Sequence, residues 1–368
     1  MNKRFKNLRL WHKILLFSVI IGSTVLISYY TYPYLEKEAE YEITLEEPLH
    51  AVSDVPIGTA VDVHKLRDHE AYRSIVQTHF NSLTAENHMK WMYIQPEQGE
   101  FHWEAADYIV DFAEEYDMVM HGHCLVWHEQ LPQWVLDFEG TPAEWNNTLK
   151  THIQTLAGQY EGRIETWDVV NEAFLRNGFR DTIWYQHLGE DYIKNAFLWA
   201  HEADPDAKLY YNDYNILGDS QKLDVILDHL GELIAEGVPI YGIGFQAHIS
   251  LDQPSVSAIQ IALARAEALG LDIRISELDI QVNPRNYHRT YTQALADAQC
   301  KRYAEVTLAF TQSDALTGIT TWGVSDADSW IPWHTGRREW VLLFDMEYQP
   351  KPAALCFQDA LWQGFSKS

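Results

Sequence analysis

Residues 164–173 read IETWDVVNEA, an apolar run that stops abruptly at Asn171-Glu172. The same cadence recurs along the chain. Apolar runs at 56–61, 80–84, 119–126, 164–170, 208–212, 241–246, 273–277 and 318–324 read as strands. Helical patterns such as 103–116, 142–160, 220–236, 255–269 and 291–310 lie between them. Strands that are apolar along their whole length belong in a parallel sheet covered by helices. Eight strand–helix units in series predict an α/β fold, a closed (β/α)8 barrel. Such barrels need about 250 residues, which leaves room here for insertions. A doubly wound sheet is the alternative, but no G-x-G-x-x-G follows the first run. No long Gly/Ser/Pro linker or repeat interrupts residues 55–368, so they read as one domain.

A barrel carries its chemistry at the carboxyl ends of its strands. Polar residues follow most of the apolar runs: Glu86-Asn87, His123 and His128, Asn171-Glu172, Asn212-Asp213, Gln246 and His248, Glu277-Leu278-Asp279, and Trp322. Glu172 and Glu277 stand out, because both directly follow apolar runs and would face the same mouth. Paired carboxylates are what cleavage of a glycosidic bond requires, one to protonate the leaving oxygen and one to attack or to activate water. His121-Gly122-His123 has a metal-like spacing, but Cys124 and His128 do not complete a ligand set, so neither a metal nor another cofactor is expected.

Composition narrows the partners. The 368 residues carry 27 Lys+Arg against 53 Asp+Glu, a net charge of −26. Such an acidic surface repels phosphate backbones and anionic lipid, which excludes a nucleic-acid partner. The 14 Trp and 20 Tyr suit either a large aromatic core or a groove of stacking surfaces for sugars. Cys124, Cys300 and Cys356 are odd in number and widely spaced, so neither a disulfide framework nor a zinc site is expected.

The first 35 residues hold five basic residues and no acid, and 14–30 (ILLFSVIIGSTVLISYY) is uncharged and apolar. Seventeen apolar residues are just long enough to span a bilayer, and the tyrosines that follow suit its interface. No A-x-A site follows, which favours an uncleaved anchor over a removed signal peptide. Either way the acidic body is exported, outside the cytoplasm at the cell surface or in the periplasm. Residues 36–54 read as a charged tether.

Seven blocks then resemble glycoside hydrolase family 10, the β-1,4-xylanases built on a (β/α)8 barrel. They are NSLTAENHMKW (81–91), HGHCLVWHEQLPQW (121–134), WDVVNEA (167–173), NDYN (212–215), GIGFQAHI (242–249), ISELDI (275–280) and TWGVSDADSW (321–330). The resemblance runs in order from about residue 57 to 354. It implies an endo-1,4-β-xylanase working by retaining double displacement on xylan or xylo-oligosaccharides, a monomer with no cofactor. Glu172 would be the acid/base and Glu277 the nucleophile. His248 would orient Glu277, Asp279 would hold His248, and Asn171 would bond the sugar 2-hydroxyl. Gln246, His123 and His128 would surround the −1 sugar. Glu86, Asn87, Lys90 and Gln130 would clamp the −2 sugar. Trp127, Trp322 and Trp330 would form aromatic walls, with Trp330 crowding a hydroxymethyl group, and Tyr214 would meet the leaving group.

Departures are few. His88 stands where the family often has an acidic or small residue, and SELD replaces the commoner TELD. The variable loop IPWHTGRREW (331–340) places Trp333, His334, Arg337 and Arg338 where they would tune preference for decorated chains. The rivals are a barrel glycosidase acting on β-glucan and a xylan-binding protein that has lost catalysis.

Overall fold

A computed structural model describes residues 36–366. The eight apolar runs form a closed parallel barrel, whose strands we number β1 (Ile57–Val61), β2 (Ser82–Ala85), β3 (Val119–Val126), β4 (Thr166–Asn171), β5 (Lys208–Asp213), β6 (Gly242–Phe245), β7 (Asp272–Gln281) and β8 (Leu316–Thr321). Each pairs with the next in sequence, and β8 returns to β1 through Ile57↔Ile319 and Thr59↔Thr321. Helices lie outside, among them Glu70–His79, Glu104–Glu115, Pro142–Gln159, Asp191–Ala203, Ser220–Ala235, Val256–Ala268, Gln293–Phe310 and Pro352–Phe365. The strands are buried on both faces, which is why they read as continuous apolar runs rather than alternating ones. The helix from Pro142 begins with a reciprocal cap: Glu144 N–H donates to Thr141 Oγ1 and Thr141 N–H to Glu144 Oε2.

Three register shifts sit beside the barrel mouth. Between β3 and β4 the pairing jumps from His123↔Asp168 to Val126↔Val170. Between β4 and β5 it jumps from Asp168↔Tyr210 to Val170↔Tyr211. Between β7 and β8, Ile275↔Ile319 is followed by Leu278↔Thr321, with Glu277 inside the irregularity. Such bulges re-aim side chains at strand ends.

Two departures from the sequence reading stand out. Cys300 and Cys356 form a disulfide, Cα–Cα 5.2 Å, between helices Gln293–Phe310 and Pro352–Phe365, so a cross-link is present where none was expected. The ring of outer helices packs the last helix against Gln293–Phe310, and a 56-residue separation hides that proximity in the sequence. Cys124 remains free and buried.

The segment read as a tether lies along the body. Ala39 N–H donates to Tyr291 C=O at 2.7 Å, and Ala39 and Tyr41 pack against the cluster of Val282, Tyr291, Leu295 and Ala296. Leu49 is fully buried. The anchor or signal reading falls on residues 1–35, outside the described residues; among those described, no helix is long and apolar enough to cross a membrane.

Candidate active site

Glu277 sits inside the β7 irregularity and is almost wholly buried. A buried carboxylate stays charged only if its oxygens are satisfied. Asn212 Nδ2, from the end of β5, donates to Glu277 Oε1 at 2.8 Å, and His248 Nε2 lies 3.2 Å from Oε2. Burial pushes Glu277 upward, but the His248 hydrogen bond, the His123 and His248 charges and the Asn212 amide hold it below the usual carboxylate range. It is an ionised carboxylate aimed into the mouth.

His248 is held in turn by Asp279, whose Oδ2 lies 2.8 Å from Nδ1 and also accepts from Trp330 Nε1 at 3.0 Å. Burial lowers the imidazole, but the Asp279 charge and hydrogen bond prevail and raise it to about 10. His248 is therefore an imidazolium donating to both carboxylates. The Trp330 and His248 rings meet edge-on at 5.1 Å, so the wall and the charge chain are one unit.

Glu172 lies just past β4 in a left-handed backbone conformation, φ 60°. A side chain in that region costs on the order of 1–3 kcal/mol and persists only when its surroundings hold it. Here Glu172 N–H donates to Asn212 C=O at 2.9 Å, Arg180 Nε donates to Glu172 C=O at 2.9 Å, and Ala173 N–H donates to Tyr211 Oη at 3.0 Å. Burial raises the Glu172 carboxyl, the Asp213 charge adds to this, and Glu277 contributes; hydrogen bonds from Gln246 and Trp127 oppose the shift. Two carboxyl groups thus share one mouth with opposite tendencies, one held ionised and one pushed towards its protonated form.

A line of amides joins them. Asn212 Nδ2 reaches both Glu277 Oε1 at 2.8 Å and Asn171 Oδ1 at 3.0 Å, and Gln246 Nε2 reaches Asn171 Oδ1 at 3.3 Å and Glu172 Oε1 at 3.1 Å. The Asn171 amide is assigned from this network. Turned over, its oxygen would accept from Trp127 Nε1 at 3.3 Å, but its NH2 would face that of Asn212. Asn212 is itself fixed, because its oxygen accepts from Ser276 Oγ at 2.6 Å. Gly244 on β6 makes room for this amide: a Cβ there would fall on Asn212 Oδ1.

The remaining candidates gather around these groups. His123 Nδ1 lies 2.8 Å from Asp168 Oδ2, and its ring meets Trp322 at 5.2 Å. Lys90 Nζ sits 5.0 Å over Trp127 and 5.8 Å from the Trp322 ring centre, and donates to Asn87 Oδ1, which also accepts from Gln130, both at 3.3 Å. Burial pushes Lys90 down and Glu86 up. His128 packs edge-on to Trp127 at 6.0 Å, and burial lowers it to about 4. Tyr214 Oη accepts from Arg180 at 2.7 Å and its ring lies under Lys222 at 3.8 Å, so Tyr214 is tied to Glu172 through Arg180.

Several supporting residues escaped the sequence reading. Asn212 and Asp213 showed as a polar strand end without a role. Asp168, buried in the β4 run, serves both histidines of His121-Gly122-His123, the pair with metal-like spacing, at 3.0 and 2.8 Å. Arg180 follows the hairpin of Phe174–Leu175 with Gly178–Phe179, and Lys222 lies in the first turn of a helix; no local pattern marks either.

A parallel barrel with one carboxyl held ionised and a second pushed towards protonation, joined across its mouth and walled by tryptophans, defines a glycosidase of the barrel class. Likeness to known proteins places it more closely: residues 45–360 match the profile described as glycosyl hydrolase family 10, and the chain belongs to that family. It is 39% identical over 317 residues to an endo-1,4-beta-xylanase of Geobacillus stearothermophilus, covering 82% of this chain and 94% of that protein. It is 38% identical over 343 residues to endo-beta-1,4-xylanase Xyn10C of Cellvibrio japonicus, covering 84% of this chain and 57% of the relative. Xylanase 10B of Thermotoga petrophila RKU-1, solved in complex with xylobiose, superposes with a TM-score of 0.82 at 36% identity, covering 88% of this chain and 99% of that one.

Proposed function

We propose that the protein is an endo-1,4-β-xylanase that cuts xylan and xylo-oligosaccharides with retention of anomeric configuration. The observation that carries this is the opposed state of the two linked carboxyls: Glu277 held ionised by His248 and Asn212, Glu172 pushed towards protonation by burial and Asp213. In the first step a Glu277 oxygen bonds to the anomeric carbon while Glu172 gives its proton to the departing oxygen. The developing positive charge on the ring is met by the Glu277 carboxylate, and Asn171 is placed to bond the 2-hydroxyl. Formation of the ester removes the Glu277 charge, which lets the Glu172 carboxyl fall in pKa. Glu172 then takes a proton from water as it attacks the same carbon, and Glu277 leaves as the carboxylate.

Xylose as the substrate unit follows from relatives named as xylanases and from a xylobiose complex at 36% identity. Trp330, fixed on Asp279, stands as the wall that crowds a hydroxymethyl group. Incubation of the full chain with xylohexaose and with cellohexaose tests the assignment: internal cuts in the first with little turnover of the second are expected, and preference for the second defeats it. We further propose that residues 1–35 remain attached as an anchor with the body outside the cytoplasm. A mature amino terminus found by mass spectrometry between about residues 28 and 50 defeats that reading.

A further inference from the structure

The acidic surface has one conspicuous exception. Residues 283–292 (NPRNYHRTYT) and 331–340 (IPWHTGRREW) follow β7 and β8 and contain four arginines and one acid, Glu339. Glu339 is buried and occupied by the backbone N–H groups of Val282 and Asn283. The two loops form one surface: Arg337 donates to Pro284 C=O at 2.6 Å, Arg338 to Arg289 C=O at 3.1 Å, and Asn283 to Arg338 C=O at 2.9 Å. Among the described residues, none of Arg285, Arg289, Arg337 and Arg338 makes an ion pair with a carboxylate. The same surface carries the two most exposed large hydrophobic side chains described, Trp333 at 88% and Tyr287 at 73%.

The amino-terminal segment enters the body at this surface. Glu36 lies 2.8 Å from His288 Nδ1, accepts from Arg289 N–H at 2.7 Å, and its carbonyl accepts from Thr290 Oγ1 at 3.2 Å. Five residues, hence six Cα-to-Cα steps, separate Glu36 from Tyr30, the end of the apolar run. Even fully extended they reach about 20 Å. An anchored run therefore holds this surface, rather than any other, beside the bilayer.

We infer that the face formed by residues 283–292 and 331–340 docks on an anionic membrane surface, Trp333 and Tyr287 entering the headgroup layer and the exposed Arg285, Arg289 and Arg338 meeting lipid phosphates, while Arg337 braces the two loops through Pro284 and Gln281. The inference rests on the reading of residues 1–35 as an anchor. Tryptophan, tyrosine and arginine are the side chains that favour the membrane–water boundary. Glu36 lies on this face, but its carboxylate is taken up by His288 and the Arg289 N–H, and the negative charge of the more distant body is largely screened beyond about 8 Å at physiological salt. Trp330, three residues before Trp333, belongs to the catalytic wall, so docking also sets the barrel mouth close to the membrane.

The test uses the full chain in vesicles of phosphatidylcholine alone or with phosphatidylglycerol, reading amide hydrogen exchange by mass spectrometry. Several-fold slower exchange across 283–292 and 331–340 in the anionic vesicles is expected, and its loss in Arg285→Glu/Arg289→Glu and in Tyr287→Ser. Unchanged hydrolysis of undecorated xylo-oligosaccharide would certify the fold of those variants. Chain that floats with the vesicles but exchanges equally in both overturns the docking. Chain that does not float removes the anchor and the docking with it. Slowing by a glucuronate-bearing xylo-oligosaccharide in detergent, without slowing by anionic vesicles, makes the face a carbohydrate site and also overturns the inference.

Discussion

Lys222 and Asp213 form a buried ion pair, side chains 5% and 0% exposed, with Nζ to Oδ1 at 2.6 Å. Asp213 also accepts from Tyr211 Oη at 2.5 Å, and Tyr211 holds the N–H that follows Glu172. Lys222→Met strands a buried charge, which costs about 3–5 kcal/mol. At about 2.1 cal/mol/K per residue over a body of roughly 300 residues, the melting temperature should fall by about 5–8 °C, read by calorimetry. Asp213→Asn should move the pH profile. The Asp213 charge helps keep Glu172 protonated, and activity needs that proton, so removing it shifts the alkaline limb of kcat/KM to lower pH. Asp213→Asn/Lys222→Met should recover most of the lost stability while keeping the shifted limb. Hydrolysis of an aryl xylobioside with a strongly acidic leaving group, which needs no proton, should change little. An alkaline limb unmoved in both Asp213 variants would break the link between Asp213 and Glu172 and leave the pair a structural brace.

Other expectations follow from the same geometry. His248, raised to about 10 from an unfolded value near 6.5, contributes stability that is fully present below about pH 6.5 and is lost as pH rises through 10. His248→Asn should therefore flatten the alkaline decline seen in denaturant titrations at a series of pH values. Gly244→Ala drives a methyl group into the Asn212 amide, so kcat should drop by about 10²-fold or more, given the tolerance of near-attack geometry, with a smaller change in KM. Cys300→Ser/Cys356→Ser reopens a loop of about 56 residues and should cost about 2–4 kcal/mol, seen equally on adding reductant to the parent protein and absent on adding it to the variant.

The barrel was legible because burial on both strand faces writes an unmistakable run of apolar residues, and because polar residues must wait for the strand end. Glu172, Glu277, His248 and Asp279 were legible for the same reason. Strand edges were placed less well: β7 continues to Gln281, since its end pairs with His248–Ser250, while β8 stops at Thr321 and leaves Trp322 beyond it. What could not be read depends on contacts between distant segments. Asn212 gains its role from Ser276 and Gly244, Asp168 from two histidines on the neighbouring strand, and Cys300 from a helix that only the packing of the outer helices brings near. The charge sum likewise hid the basic aromatic face, because four arginines vanish in a total of −26.

The mechanism turns on Glu277 bonding directly to the sugar. Proton NMR of xylohexaose hydrolysis in its first minutes, before mutarotation, decides whether that bond forms. Newly formed reducing ends should appear as β-anomers and only later relax to the equilibrium mixture. Early α-anomers would mean that water attacks in a single displacement, and Glu277 would not be the nucleophile.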